Sequence, residues 1–469
     1  MASCSEAPQR DWHQRLRPEI VFVALGLSFG LAVLLANPPF QAPDEFEHYF
    51  RVHQLAEGAV LGQKRGIQSG GELPIPVVAV ANTDGIPFNY ENKMTREMWR
   101  NKLQPLFLDW SQAPRDYFHF PHTVIYPPVG YVPQAIIVGL GKIFHLGPLL
   151  LLYAARLSML GFYLGLGWAA LQRFPCYRWS CLVLLLAPMS LYLMGSAAPD
   201  ALLIGCGFLI AGLTLQQALA TDRQPDWRSL ALTLSAASVL AVAKMVYLPL
   251  ALAGVALVLP RLSTSRQRAT LVGLAVIVCL LPAWVWGRFL TEIYVPGRAD
   301  IPIDPAAQSR YILSHPVEFV DLVLRSLRVD ARFIYEWFVG TLGWGDTPMP
   351  QWYYNAFGCG LSACVLAESQ TAYLIRWWHR GIMLGGALGV ALAIFAAQYV
   401  TWNPPGSQQP IEGICGRYFL PMAPLVVLSF PALSRTRFLM QYLPIFATLL
   451  AAIGAVVCLV SVVKRYYLP

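Results

Sequence analysis

The chain has 469 residues, is 56% hydrophobic and only 13% charged, and carries a formal net charge of +8. Soluble domains carry about 25% charged residues, so a mean hydropathy of +0.49 excludes an ordinary soluble protein. The basic balance is better explained by cytoplasmic loops of a membrane protein than by nucleic-acid binding. The nine cysteines contain no CxxC pair and most lie in apolar runs, which argues against a disulfide framework or a cysteine zinc site.

In chain order, residues 1–18 form a polar tail with Arg10, Arg15 and Arg17, read as cytoplasmic. The apolar run 19–37 follows without an A-x-A-like cleavage site, and is read as a retained first transmembrane helix. Residues 38–146 then form a large outer loop carrying juxtamembrane helices. Within it "YENKMTREMWRNKLQPLFLDW" has an amphipathic helical pattern suited to a membrane surface. Segment 124–144 is apolar but has prolines at 127, 128 and 133, and its crossing would decide the orientation of everything after it. If it crosses, the loops with Arg173 and Arg178, with Arg261, Arg266 and Arg268, and with Arg435 and Arg437 face outward. If it does not, these loops face the cytoplasm, as do those with Arg223 and Arg228 and with Arg376 and Arg380, as the positive-inside rule prefers. It is therefore read as a re-entrant or juxtamembrane helix. Transmembrane helices fill 147–289 and 352–463, and 290–351 is an outer loop whose segment 315–340 is too charged to face lipid. The expected fold is an all-α polytopic membrane protein with about 11 transmembrane helices, within a range of about 10–13. No C-terminal soluble domain is expected.

The densest charge cluster, "PPFQAPDEFEHYFRV", stands at the outer mouth of the first helix. On a helix starting at Ala42 or Pro43, Asp44, His48 and Arg51 share a face and acids occupy the first turn. Asp200 in "GSAAPDALL", Lys244 in "AVAKMVYLP", Arg417 in "GICGRYFLPM", Arg156 in "YAARLSM", and Trp344 and Asp346 in "LGWGDTPMP" meet the same outer boundary under this topology. Each also has an ordinary structural reading: capping for Asp44 and Asp200, snorkelling for Lys244, anchoring for Arg417 and an interfacial aromatic belt around Trp344. Together they offer a carboxylate that could act as a base and cations that could hold a phosphate. Asp44 and His48 alone are too few ligands for a metal, so no metal site is assigned.

The motifs "PPFQAPDEFEHYFRVHQLAEG", "YPPVGYVPQ", "AARLSML", "SAAPDALL", "AKMVYLPL", "LGWGDTPMP" and "GRYFLPMAPL" span residues 37 to about 425. In their order and spacing the chain resembles a GT-C superfamily glycosyltransferase, and more narrowly a bacterial family of predicted membrane proteins without assigned function. The resemblance implies a GT-C-like fold in the bacterial cytoplasmic membrane, with the N-terminus inside and the active site facing the periplasm. It implies transfer of one sugar from a polyprenyl-phosphate donor to a hydroxyl of a glycan or other acceptor, typically with inversion. Asp44 takes the position of the general base, with Glu45 and Asp200 as further acidic site residues. Lys244, Arg417, Tyr418 and Arg156 take the donor phosphate, and His48, Arg51, Trp344 and Asp346 are left for acceptor or sugar. No cofactor is certain, and a divalent metal, used by some GT-C enzymes, stays open. The competing readings are a polymerase or ligase of lipid-linked glycans and a transporter or flippase of lipid-linked sugars.

Overall fold

A computed structural model describes residues 16–108, 110, 112–220, 226–298, 301–431 and 437–468. Most of the expected 1–18 tail lies outside the described residues, as do Cys4, Arg223 and Arg435. Six helices among the described residues are long and apolar enough to cross a membrane: Pro18–Ala36, Pro148–Arg173, Asp200–Leu219, Ser265–Ile293, Trp377–Trp402 and Met440–Tyr467. Shorter apolar helices occupy Trp227–Ala243, Met245–Arg261 and Gly416–Leu428. The molecule is a mostly helical membrane protein.

Several apolar runs that read as continuous spans are interrupted, and proline is the usual cause. The run 179–197 is two short helices, Arg178–Leu185 and Pro188–Met194, buried throughout. Pro188 lacks the N–H that would continue the first helix. Gly416–Met422 is a 3-10 turn containing Pro421, followed by the helix Ala423–Leu428. The helix Ser265–Ile293 carries a π segment, Val276–Leu280, just before Pro282. The widened turn accommodates a ring that would clash with a regular helix. The helix Val132–Ile143 has 12 residues, so its length of about 18 Å falls short of a hydrocarbon layer about 30 Å thick.

Contacts between chain segments define two ends of the bundle. At one end Arg178 pairs with Glu19 at 2.6 Å, and the N–H groups of Trp179 and Ser180 donate to Glu368. Tyr177 donates to the Phe430 carbonyl and Arg380 to that of Leu428. Arg261 donates to the Ala220 carbonyl. At the other end the Tyr467 hydroxyl donates to the Ala36 carbonyl at 3.0 Å, Ser69 to the Ile293 carbonyl at 2.6 Å, and Lys244 pairs with Asp200. Residues 38–146 cover this second end.

That segment is not purely helical. It holds a three-stranded antiparallel sheet, β1 (Gln63–Arg65), β2 (Gln68–Pro74) and β3 (Arg115–His119), with Arg65 opposite Gln68 and Gly70 opposite His119. Gly66, at φ +62°, supplies the positive φ that a two-residue hairpin loop requires. The long amphipathic helix expected near 90–110 is reduced to Arg96–Leu103 and a 3-10 turn, Gln104–Phe107. Thr95 caps its start by accepting from the Met98 N–H, and Pro105 deprives the continuing helix of a donor.

Candidate functional site

The helix Glu45–Ala56 begins two to three residues later than the sequence pattern predicts. Asp44 is its N-cap residue, in the left-handed region at φ 56°, ψ 13°, a conformation that Asp tolerates better than most residues. Its carboxylate caps no N–H of the helix. Instead Oδ2 lies 3.6 Å from Arg417 Nη2, with the Asp44 side chain 36% exposed. The ordinary reading of Asp44 as a helix cap is thus not what its side chain does.

The later start splits the face expected to hold Asp44, His48 and Arg51. Arg51 is buried and donates to the carbonyls of Val60 at 2.8 Å and Tyr126 at 2.9 Å, and to Gln54. His48 is buried with Nδ1 2.7 Å from the Tyr131 hydroxyl. Burial pushes its imidazole down to about 4, so it is neutral at ordinary pH. Glu47 is buried too and accepts from the His122 N–H at 2.9 Å. Burial, and next the charge of Asp44, push its carboxyl up to about 8.

Glu45 and Arg156 form a different unit from the one the resemblance implies. Both side chains are 0% exposed and meet through two bonds, of 2.5 and 2.8 Å. Arg156 also donates to the carbonyls of Leu34, Asn37 and Pro38. Glu45 also accepts from the N–H groups of Phe40 and Ala197. Their polar atoms are spent on fastening the helix Pro148–Arg173 to the end of the first helix and to the turn before Asp200. Asp346 is likewise engaged elsewhere, accepting from Arg465 at 2.7 Å and from the Phe88 N–H at 3.1 Å.

The other site residues converge on one cavity of about 460 Å³. Asp44, Lys244, Arg417, Tyr418 and Trp344 line it. Lys244 is the C-cap residue of Trp227–Ala243, where the chain breaks before the 3-10 turn Met245–Tyr247. The break turns its ammonium toward Asp200, 2.8 Å away at the first residue of Asp200–Leu219. Lys244 Nζ sits 5.4 Å from the ring centres of both Tyr126 and Tyr418, within cation–π range. Arg417 is the second residue of the 3-10 turn Gly416–Met422, and its guanidinium lies 5.5 Å from the Tyr418 ring. Its Nε is buried with no partner among the described residues.

The sequence reading missed Tyr126, His122, Trp286, Trp337, Gln398 and Trp402, which line the same cavity. "YPPVGYVPQ" was a usable signal for Tyr126, since two prolines after it stop a helix from covering the ring. Nothing local marks Gln398 or Trp402, which lie in an apolar helix. Arg465 was missed as well: it is buried, and donates to Ile86, Asn89, Tyr90 and Asn92 carbonyls as well as to Asp346.

Among the described residues no group of three or more His, Cys, Asp or Glu side chains is placed to hold a metal ion. The cavity offers one partly exposed carboxylate, three cationic side chains, Lys244, Arg298 and Arg417, and a mostly apolar wall rich in Tyr and Trp. No curated protein and no solved structure matches the chain. Residues 27–426 match a family described as Predicted membrane protein (DUF2142). With a match over most of its length, the chain belongs to the DUF2142 family of predicted membrane proteins.

Proposed function

We propose that this protein is a membrane glycosyltransferase. It moves a single sugar from a polyprenyl-phosphate donor to a hydroxyl on the outer face of the bacterial cytoplasmic membrane. The observation that carries the reading is that Asp44, Lys244 and Arg417, from three distant parts of the chain, line one cavity, with Asp44 in a strained left-handed turn instead of capping its helix. Strain of this kind persists only where surrounding contacts impose it, and clusters at functional sites.

Orientation follows from the two ends of the bundle. Arg17, Arg178, Arg261 and Arg380 gather around the end opposite the cavity. By the positive-inside rule that end is cytoplasmic and the cavity faces outward. Six helices long enough to cross and three shorter apolar helices are compatible with the proposed crossings, with residues 124–144 on the outer side. No nucleotide sugar is available there, which suits a lipid-borne donor.

In the proposed step Asp44 accepts the proton of the acceptor hydroxyl as its oxygen attacks C1 of the sugar. The C1–O bond to the phosphate breaks, the anomeric centre inverts, and polyprenyl phosphate leaves with the bonding pair. Lys244 and Arg417, both lining the cavity, stabilise the phosphate charge. Asp200 holds Lys244 in place, and Tyr418 flanks both cations. Asp44→Asn keeps the turn but not the base, and lowers transfer by about 10²–10⁴-fold. The test is deletion of the gene and complementation with wild type or Asp44→Asn, with surface glycans weighed by mass spectrometry. Loss of one sugar mass in both the deletion and the Asp44→Asn strain is expected. Full restoration by Asp44→Asn would overturn the mechanism.

A further inference from the structure

We propose that the helix Pro316–Val339 docks on the bilayer, with one face seated at the lipid–water boundary at the cavity end of the bundle and Arg328 on a phospholipid phosphate. This stands apart from the transferase reading. Segment 315–340 reads from sequence as too charged to face lipid, but in the structure nearly all its charges keep to one side. With about 3.6 residues per turn, the helix has three faces. Phe319, Leu322, Val323 and Ser326 form a buried face, where Ser326 Oγ accepts from the Ile411 N–H at 2.9 Å. Glu318, Asp321, Arg325, Arg328, Arg332 and Glu336 form a charged face. Asp330, half-buried, is the only acid of this helix off it. Val317, Val320, Leu324 and Leu327 form the third face, apolar yet exposed, 81% at Val317 and 47% at Leu324. Val329 and Phe333, also exposed, lie on the border between the charged face and the buried one.

What surrounds the apolar face favours lipid as its cover. Arg332 donates to Gln351 at 2.9 Å, and Tyr335 to the Tyr354 carbonyl at 2.7 Å, both at the start of the helix Gln351–Glu368. That helix runs from here to the opposite end of the bundle, where Glu368 accepts from the Trp179 and Ser180 N–H groups. Trp352 in its first turn is exposed, as tryptophans at a membrane boundary are. Leu327 lies between one and two turns from Arg332, so the apolar face meets the same boundary. The neighbouring charges fit this placement. Asp321 is paired with Arg325 at 3.0 Å, Glu336 with Arg332 at 2.7 Å, and Glu318 accepts from the Tyr311 hydroxyl. Arg328, on the border of the apolar face, is exposed, and its guanidinium has no partner among the described residues. An arginine there can lay its stem on apolar chains and its head against a lipid phosphate.

A second copy of the chain is a poorer occupant. A stable dimer buries about 1,200–2,000 Å² in total, and four aliphatic side chains offer a fraction of that. Lipid is already at this boundary and carries no association cost. A helix with an apolar face, a charged face and little net hydrophobicity is the kind that lies at a membrane surface. The far end of the same helix belongs to the cavity. Trp337 lines it. A Cβ on Gly416 would overlap the Ile334 carbonyl oxygen, so the turn that carries Arg417 packs directly on this helix. The element that rests on lipid along one face thus backs the cation site at its end.

The test puts the photo-crosslinking residue benzoylphenylalanine in place of Leu324 in the full-length protein. The protein is reconstituted in nanodiscs of phosphatidylcholine and phosphatidylglycerol, irradiated, and read by intact-mass spectrometry and gel electrophoresis. A product heavier by one phospholipid is expected. Val320 is the second position, used if the Leu324 variant loses the wild-type melting transition. The same crosslinker at Glu318, on the charged face, should give no lipid product. A covalent dimer in place of the lipid product would assign the face to a second copy. No product at Leu324 or Val320 would assign it to water. Either result overturns the proposal, as does equal lipid labelling at Leu324 and Glu318. In detergent with limiting phospholipid, Arg328→Gln should lower the lipid product about fivefold and Arg328→Lys should keep it. Equal product from Arg328→Gln and wild type would overturn the phosphate contact.

Discussion

At the scale of single residues, neighbouring acids have been given different tasks by their surroundings. Asp44 faces a cavity, Glu45 is sealed against Arg156, and Glu47 is buried against a backbone N–H. The sequence shows three carboxylates within four positions and cannot rank them, because the ranking depends on which N–H groups and cations arrive from 75 or more residues away. Glu45→Ala should destabilise the protein by about 3–5 kcal/mol, since it leaves an uncompensated buried guanidinium. Thermal unfolding in detergent checks this, and an Arg156→Met, Glu45→Met pair should recover part of the loss. If Arg156 instead bound donor phosphate, the double variant would be stable but inactive. Glu47 sets a pH dependence. Its folded carboxyl titrates near 8, against 4.5 as the ordinary value. Between those values the folded state holds a proton that the unfolded state has released, so stability falls as pH rises through this window. Glu47→Gln keeps an acceptor for the His122 N–H and loses the titration. Its melting temperature should fall less than that of wild type as pH is raised from about 5 to about 8.

At the scale of elements, the long helices were legible and the broken ones were not. Runs of about 20 apolar residues announce themselves by length. The breaks at Pro188, Pro282 and Pro421 were visible as letters, but a membrane helix can kink at proline or end there, and neighbours decide which. The sheet was invisible because β2, "QSGGELP", has no alternation and is rich in Gly and Pro. Its pairing is imposed by β3, more than 40 residues on. One close approach between elements bears on the site. Gly207 lies against Pro421, where an added Cβ would sit 2.2 Å from the Pro421 carbonyl oxygen. Gly207→Ala should push the 3-10 turn away from Asp200–Leu219 and move Arg417 with it. Transfer should drop, by about tenfold or more, although no polar group of the site is altered. The checking measurement is single-turnover transfer beside the wild-type melting curve. Unchanged transfer would mean that the turn relaxes without moving Arg417.

At the scale of the whole molecule, the arginine count and the packing give the same two ends by unrelated routes. One uses only letters in loops. The other uses which loops touch. The outward placement of the cavity belongs to the proposed function, and labelling tests it. Ile67→Cys, at a position 87% exposed in the first loop, should react with a membrane-impermeant maleimide in intact spheroplasts. Thr264→Cys, beside Arg261 and Arg266, should react only after the membrane is opened. External labelling at 264 would reverse the orientation and with it the proposed donor. Most of the charged site residues could be picked from the sequence, because charge in a greasy chain is conspicuous. Of its aromatic and amide residues only Trp344 and Tyr418 were named, from their motifs; the rest were not, because a tryptophan lining a cavity and one facing lipid are the same letter.

The buried Arg465 has a consequence for how the molecule comes into being. Its bonds reach back to residues 86–92, across some 375 positions of chain at Tyr90, and it also steadies Asp346 in the turn that presents Trp344. A ribosome delivers the first loop long before the arginine that pins it. Until the last helix inserts, the outer covering of the cavity lacks its anchor. The nascent protein therefore carries an unfinished vestibule until the helix that bears Arg465 arrives to pin it.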